Sequence, residues 1–343
     1  MRQVSRRRFV CFMAGVGTSA GVVVALRLGG ERPEGLVLGN ELQSVSRTSW
    51  ALGSDATITV VHQDASAGEA AIDAAFKELE RIEDVMSIYR ANSQLSRLNR
   101  DGVLDDPHPY FVEVLQAAQA MSQRSDGAFD VTVQPLWNLY AAAQQRKQLP
   151  TDAEIAAARQ CINWKKVHVA KSQIRFEGDD TAITLNGIAQ GFAADRVGIV
   201  LRQHGVEHAL IDTGEIGAFG TKASGDAWSI GIQHPRDREA YVSIAKLAGR
   251  CLATSGDYAT TFSNDHRHHH LLDPRTGRSP EELSSVSIIA TTALDADALS
   301  TAVFVMGAEA GLKLVELTSG ADALLVLKDG RSIVTAGFPA PHS

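Results

Sequence analysis

Residues 295–306 place the strongest constraint on the fold, because this segment has the length of a helix and is mostly apolar. A helix that is apolar on all sides has to be enclosed by other elements of a large core. Asp297 and Thr301 lie within it, and residues four apart share one face of a helix. A buried carboxylate needs a partner or a metal, since desolvation otherwise favours its protonated form. The pattern predicts either a hard-cation site at this pair or an acidic residue stabilised by the helix dipole.

Helix and strand patterns are mixed along the chain without a regular β-α-β alternation, which favours an α+β fold of mixed sheets with packed helices. Helices are predicted at the apolar stripes of residues 72–86 and 111–121, after a capping box at Thr151, and at 188–204, 295–306 and 309–317. Strands are predicted at 56–62, 166–170, 173–176, 182–185, 209–212, 228–233, 242–247 and 286–290, with a hairpin of 323–327 and 333–336.

Composition and charge indicate a globular protein that does not bind nucleic acid. Of the 343 residues, 44% are apolar and 21% are charged, which is typical of one large domain. The net charge is −7, and residues 1–30 contain arginines but no acid, so the remainder is more acidic still. Beyond residue 30, Cys161 and Cys251 lie in no metal or redox motif. We expect two buried thiols, although an oxidising compartment would allow them to pair.

The first 30 residues are predicted to be an export signal. Arg6 and Arg7 precede an apolar stretch at 10–26, a pattern typical of the twin-arginine route to the periplasm. That stretch contains several glycines and falls short of the roughly 20 strongly apolar residues of a membrane span. Because no clear cleavage site follows it, an uncleaved membrane anchor remains the alternative. Residues 31–45 are predicted to be a linker, and 46–343 a single domain.

Two further segments carry groups suited to chemistry. At 186–191 a glycine-bearing turn joins a predicted strand to a helix, and the amides of such a helix N-terminus can bind phosphate, although glycines there also serve close packing. His268, His269 and His270 are adjacent, and on an extended chain they cannot all face one metal ion. A single histidine held by a carboxylate, such as His270 near Asp273, could accept a proton near neutral pH.

Six motifs, taken in order, resemble the ApbE family of FAD:protein FMN transferases, which move FMN from FAD onto a Ser or Thr of a partner protein. They are MSIYRANSQLSRLN (86–99), DGAFDVTVQPLWNLY (126–140), TLNGIAQGFAADR (184–196), LIDTGEIGAFG (210–220), TSGDY with HHHLLDPRTG (254–258 and 268–277), and DADALSTAVFVMG (295–307). The resemblance covers about residues 45–335 and implies an ApbE-like fold.

The resemblance also implies a set of functional residues. Mg²⁺ would bind to Asp297, Thr301 and the backbone carbonyl of Ala189, and the catalytic residues would be His270 and Asp257. FAD would be bound by Met86, Ser87, Tyr89, Asp130, Thr132, Gly187, Gln190, Asp195, Thr254, Ser255 and Gly256.

Two residues depart from the usual pattern of the ApbE family. Gln190 stands where the family usually has a lysine, which removes a cation expected near FAD, and Glu215 adds a carboxylate that would repel phosphate unless it binds a metal or turns away. Together with the twin-arginine signal, they are similar to the NosX branch, which implies a NosR-like membrane protein of nitrous oxide respiration as the acceptor.

Two other functions remain compatible with the sequence. One is a hydrolase that splits FAD into FMN and AMP, and the other is a non-catalytic flavin carrier. A carrier that holds its own covalent FMN would need an acceptor sequence such as S/T-G-A-T/S. Residues 319–322 come nearest, but Asp322 replaces the needed hydroxyl, so self-flavinylation is not expected.

Overall fold

The computed structural model describes residues 42–341, which form the predicted α+β fold. Its strands are β1 (Gln43–Ala51), β2 (Ser54–His62), β3 (Val103–Asp105), β4 (Val167–Val169), β5 (Gln173–Phe176), β6 (His208–Asp212), β7 (Ile216–Phe219), β8 (Trp228–His234), β9 (Asp237–Leu247), β10 (Cys251–Gly256), β11 (Leu283–Ala290), β12 (Asp322–Leu327) and β13 (Ser332–Val334). Its α-helices are α1 (Ala65–Met86), α2 (Gln94–Asp101), α3 (Pro109–Arg124), α4 (Gln134–Gln145), α5 (Asp152–Gln160), α6 (Ala189–Gln203), α7 (Ala293–Met306) and α8 (Ala308–Glu316).

The largest sheet is antiparallel and has eight strands, in the order β1-β2-β6-β7-β10-β11-β12-β13. A three-stranded sheet (β3-β5-β4) and the two-stranded β8-β9 hairpin accompany it. The apolar helix α7 packs against α6, β10, β11 and α8, and its side chains at Leu299, Val303 and Phe304 are fully buried. The enclosure expected for this helix is therefore confirmed.

Local sequence signals fixed several helix ends as predicted. Thr151 and Glu154 form the complete capping box at the start of α5. After α6, Gly205 adopts a left-handed conformation with φ of +77°, as expected for a residue that ends a helix. Within residues 42–341, no helix combines the length and the apolar character needed to cross a membrane. The predicted export signal lies outside the described residues.

The structure contains five elements that the sequence patterns do not predict, namely α2, α4, β3, β7 and β10, and it differs at two segments for which a prediction was made. The predicted strand at 182–185 is absent, because Asn99 binds this segment with its side chain: Nδ2 donates to the Ile183 carbonyl and Oδ1 accepts from the Ile183 amide, both at 2.8 Å. The side-chain amide of Asn99, on α2, thus takes the place of a neighbouring strand. Conversely, β1 begins at Gln43, inside the expected linker, and its mostly exposed residues give no alternating pattern.

Both cysteines in the described residues are free thiols, but only one is buried. Cys251 lies in β10, where desolvation raises its pKa to about 12, whereas Cys161 is half-buried at the end of α5. The expectation of two thiols is met, and the expected burial of Cys161 is wrong, because α5 packs on the core chiefly through Ile155.

Candidate functional site

A cavity of about 210 Å³ lies between the end of α1, the start of α6, β10 and α7, and we call it the central cavity. It brings together residues from all six sequence motifs, the first and last of which are more than two hundred positions apart in the chain. The predicted residues that line it are Met86, Ser87, Tyr89, Asp130, Gly187, Ala189, Gln190, Thr254, Ser255, Gly256, His270, Asp297 and Thr301.

The crossing of α6 and α7 positions Asp297. The Gly191 amide donates to Asp297 Oδ2 at 2.9 Å. A β-carbon at position 191 would lie 2.2 Å from the Ala293 carbonyl oxygen and 2.7 Å from the Asp297 β-carbon. Only glycine therefore allows the two helices to approach closely enough for this hydrogen bond.

Asp195, predicted to bind flavin, instead fixes the start of α7. Its carboxylate accepts hydrogen bonds from the amides of Ala293 and Leu294, both at 2.9 Å. These amides belong to the first turn of α7 and have no partner within that helix. Asp195 does not line the central cavity, so its contribution to the site passes through the placement of α7.

A hydroxyl group on the facing strand β10 approaches Thr301. Ser255 Oγ on β10 lies 3.2 Å from Thr301 Oγ1 and 2.8 Å from Ser300 Oγ. A β-carbon at Gly187 would come within 2.9 Å of Thr301 Oγ1, so glycine keeps this side of the cavity open. Residues 254–256 lie on β10, which therefore presents their groups on a strand of the main sheet.

Asp297 and Glu215 form a pair of buried acidic groups. Their side chains are only 3% and 4% exposed. Burial raises the pKa of Asp297 to about 7, although the hydrogen bond from the Gly191 amide acts to lower it. Burial, followed by the charge of Asp297, raises the pKa of Glu215 well above its usual value, although its Oε2 accepts from the Thr254 amide at 3.1 Å. The neighbouring charges that raise these pKa values are acidic: Asp297 and Asp212 act on Glu215, and Asp195 acts on Asp297.

This environment suits a hard divalent cation. The Asp297 carboxylate, the Thr301 hydroxyl and the Ala189 carbonyl belong to residues lining one cavity, and oxygen donors are the ligands that Mg²⁺ prefers. Across the described part of the chain, no three His, Cys, Asp or Glu side chains converge as a metal site. A cation here would have to use hydroxyl and carbonyl oxygens beside the acidic pair.

His270 is half-buried at the wall of the central cavity. Its Nδ1 lies 3.2 Å from the Thr260 carbonyl oxygen, which can only accept a hydrogen bond. Nδ1 therefore carries the proton in the neutral ring, and Nε2 is left as an acceptor. Desolvation lowers the pKa of His270, which favours this neutral form. The expected carboxylate partner is wrong, because Asp273 binds the Arg275 side chain instead.

Asp257, predicted to act with His270, does not line the central cavity. Its buried carboxylate accepts two hydrogen bonds from Arg236, at 2.6 and 2.7 Å, and one from Lys328 Nζ at 2.6 Å. Burial alone would raise the pKa of Asp257, but the two cations outweigh this and hold it below its usual value. Lys328 Nζ also donates to the His266 carbonyl at 2.6 Å. The group joins the end of β10 to the histidine-bearing loop.

The two residues predicted in the 126–132 loop have different positions. Asp130 lines the cavity edge, but its oxygens accept from the Thr132 amide and hydroxyl, at 2.8 and 2.6 Å, and from the Trp164 amide at 3.1 Å. Thr132 is fully buried, accepts from the Asn163 amide at 2.9 Å and does not line the cavity. Their hydrogen bonds hold the loop in place.

Several cavity residues were not predicted individually. Trp137 and Asn186 lie within recognised motifs, so their aromatic and amide groups beside a ligand loop were the available signal. Leu52 reaches the cavity from the β1-β2 turn, where it has a φ of +54°, and nothing in its neighbourhood of the sequence indicates this position. Thr260 enters only through its carbonyl, which any residue could supply.

Known proteins resemble this chain in both sequence and fold. The sequence matches the ApbE family over residues 52–325. It is 31% identical over 271 residues to the FAD:protein FMN transferase of Salmonella typhimurium, which covers 75% of this chain and 77% of that protein. The ApbE protein of Thermotoga maritima has a TM-score of 0.78 at 30% identity, covering 86% of this chain and 97% of that one. The apo form of Pseudomonas stutzeri flavinyl transferase ApbE has a TM-score of 0.76 at 30% identity, covering 88% and 97%. The chain therefore belongs to the ApbE family.

Proposed function

We propose that this protein transfers FMN from FAD to a Ser or Thr hydroxyl of a partner protein and releases AMP. The observation that carries the proposal is the central cavity, which joins a neutral histidine to a cluster of oxygen donors in a chain related to FAD:protein FMN transferases. The acceptor oxygen bonds to the FMN phosphorus while the bond from that phosphorus to the bridging oxygen of the diphosphate breaks. The acceptor proton moves to the protein, and AMP leaves.

His270 is suited to receive that proton. Its Nδ1–H is held by the Thr260 carbonyl, so Nε2 can accept, and desolvation keeps the ring neutral before reaction. Gly187 lines the same cavity just before α6, and its lack of a side chain leaves room for a ligand beside Thr301. The chain thus places a proton acceptor beside open space for a ligand.

We propose Mg²⁺ as the cofactor, held by Asp297, Thr301 and the Ala189 carbonyl. When bound, the ion would neutralise the negative charge of the diphosphate. Asp297 and Glu215 supply the acidic surroundings that favour such a cation, and their own repulsion decreases when it binds. This gives Glu215 a place near a phosphate-rich ligand despite its charge.

The acceptor and the compartment are also proposals. The resemblance to the NosX branch supports a NosR-like membrane protein as the acceptor, and Arg6 with Arg7 supports the periplasm as the compartment. Replacing both arginines by lysine keeps the charge but removes the pair that the twin-arginine route reads. Retention of a folded precursor in the cytoplasm is the expected result. Normal export of the double-lysine variant would contradict this route.

Release of AMP tests the proposed activity directly. Purified protein is incubated with FAD and Mg²⁺, with and without the acceptor protein, and both AMP and acceptor-bound flavin are measured. AMP release that depends on the acceptor supports transfer, release without acceptor indicates a hydrolase, and FAD binding without release indicates a carrier. His270→Gln should lose transfer, whereas His268→Gln, in the same loop but outside the cavity lining, should keep it.

A further inference from the structure

A second cavity of about 460 Å³ adjoins the central cavity, and we call it the adjoining cavity. The two cavities share a wall of four lining residues, Ile88, Tyr89, Trp137 and Asn186. The remaining lining residues come from α2, from α4 and from the segment at 182. Ser96, Asn99, Gln134 and Asn138 of this remainder lie within the motifs, but none of them is among the individually predicted site residues.

The lining chemistry is that of a surface for an uncharged polar ligand. Gln134, Asn138 and Asn186 provide side-chain amides, while Trp137 and Tyr89 provide aromatic faces. Gln134 Nε2 donates to Asn138 Oδ1 at 2.7 Å, which orients both amides on successive turns of α4. Amides of this kind can pair with both the N–H and the C=O of an extended polypeptide.

Charge in the adjoining cavity is largely cancelled. Arg100 is its basic residue, and the guanidinium donates to both carboxylate oxygens of Asp101, at 2.9 and 2.8 Å. A phosphate or another anionic group would therefore meet a cation that is already paired. A neutral segment of polypeptide, with small and polar side chains, fits this lining better.

Geometry supplies the link to function. A Ser or Thr hydroxyl lies only a few bonds from its own backbone, so the acceptor chain has to pass close to the central cavity for its oxygen to reach a phosphorus inside. The adjoining cavity meets the central cavity at the shared wall of Tyr89, Trp137 and Asn186. A polypeptide seated there would be bound beside the reacting group.

We infer that the adjoining cavity binds the segment of the acceptor protein that carries the modified hydroxyl. The inference rests on the proposed transferase function, because it names where that reaction's second substrate binds. Gln134 and Asn138 hydrogen-bond the acceptor backbone, and Trp137 packs against it.

Asn138→Trp provides the test, because Asn138 is exposed and lines only the adjoining cavity. An indole at this position fills the space without entering the core. Ala142→Trp is the matched control, since Ala142 is exposed one turn further along α4 and lines neither cavity. The probe is a fluorescently labelled peptide containing Ser-Gly-Ala-Val, which lacks the second hydroxyl and so binds without completing transfer.

Peptide binding is measured by fluorescence anisotropy on protein saturated with FAD and Mg²⁺, and FAD affinity is measured separately. We expect Asn138→Trp to weaken peptide binding by about tenfold or more while FAD affinity and thermal unfolding stay as in the wild type. Ala142→Trp should match the wild type in all three measurements.

Three results would overturn the inference: equal peptide binding by wild type and Asn138→Trp, no peptide binding by the wild type, or loss of FAD affinity in Asn138→Trp. The third result would assign the adjoining cavity to the flavin. Failure of the proposed function is distinct, since a wild type that binds the peptide but never flavinylates Ser-Gly-Ala-Thr would refute transfer and leave the binding site intact.

Discussion

Gly191→Ala should destabilise the protein through the α6-α7 crossing. The added methyl group would lie 2.2 Å from the Ala293 carbonyl oxygen, and Ala293 cannot easily retreat because its amide is held by Asp195. Alanine gains about 1 kcal/mol over glycine in a helix interior. Overpacking costs about 1–3 kcal/mol, and disturbing the hydrogen bond to the Asp297 carboxylate costs about 1.5–3 kcal/mol. The net loss in the free energy of unfolding is therefore about 1.5–5 kcal/mol.

Gly198→Ala on the same helix is the matched control. There the nearest atoms to a new β-carbon are Arg202 Nη1 at 3.3 Å, at the end of a flexible side chain, and Ile211 Cδ1 at 3.5 Å. This variant should be unchanged or more stable by up to about 1 kcal/mol. In thermal unfolding, Gly191→Ala should lower Tm by about 3 °C or more, since 1 kcal/mol shifts Tm by about 2–4 °C in a large domain. If both variants unfold at the same temperature, the close approach of α6 and α7 at Gly191 does not contribute to the free energy of unfolding.

Three other predictions concern the central cavity. Asp297→Asn keeps an acceptor for the Gly191 amide but removes the negative charge. FAD binding that depends on Mg²⁺ should therefore disappear, while Tm measured in EDTA should not fall. Full FAD binding by this variant in Mg²⁺ would contradict the metal assignment. Gln190→Lys should tighten FAD binding or speed transfer, because a partly buried cation attracts a diphosphate, and calorimetry showing neither change would refute it. Burial raises the folded-state pKa of Asp212 to about 6 and of Asp297 to about 7, so the folded state binds more protons than the unfolded state above about pH 4. The contribution of Asp297 to stability in EDTA should therefore be lost as pH rises from about 4 to about 7. The Tm of the wild type minus that of Asp297→Asn should fall across this window, and a difference that does not change with pH would contradict it.

Periodicity and local signals predicted those parts of the fold whose causes lie within a few residues. The stripe of α1, the capping box at Thr151 and the apolar character of α7 each reflect neighbours in the chain. The strand pattern at 182–185 failed for the opposite reason. Its alternation is real, but the groups that satisfy Ile183 come from Asn99, which a local pattern cannot reveal.

The site shows the same division. Motif residues such as Thr301 and Gly187 meet at the central cavity as expected. Asp195, Thr132 and Asp257 instead satisfy protein partners, because a carboxylate or hydroxyl in a motif can support the site as well as contact its ligand. Which of these a polar residue does depends on the direction of its side chain, and sequence spacing does not fix that direction.

The ion cluster at Asp257 ties the loop that carries His268, His269 and His270 to the rest of the fold. One carboxylate binds Arg236 from the β8-β9 hairpin and Lys328 from beyond β12, and Lys328 in turn holds the His266 carbonyl. Local opening of that loop must therefore expose a buried ionic group as well as break backbone contacts. Amide hydrogens around residues 266–270 should then exchange with solvent on the slow timescale of the core, although the loop contains no regular helix.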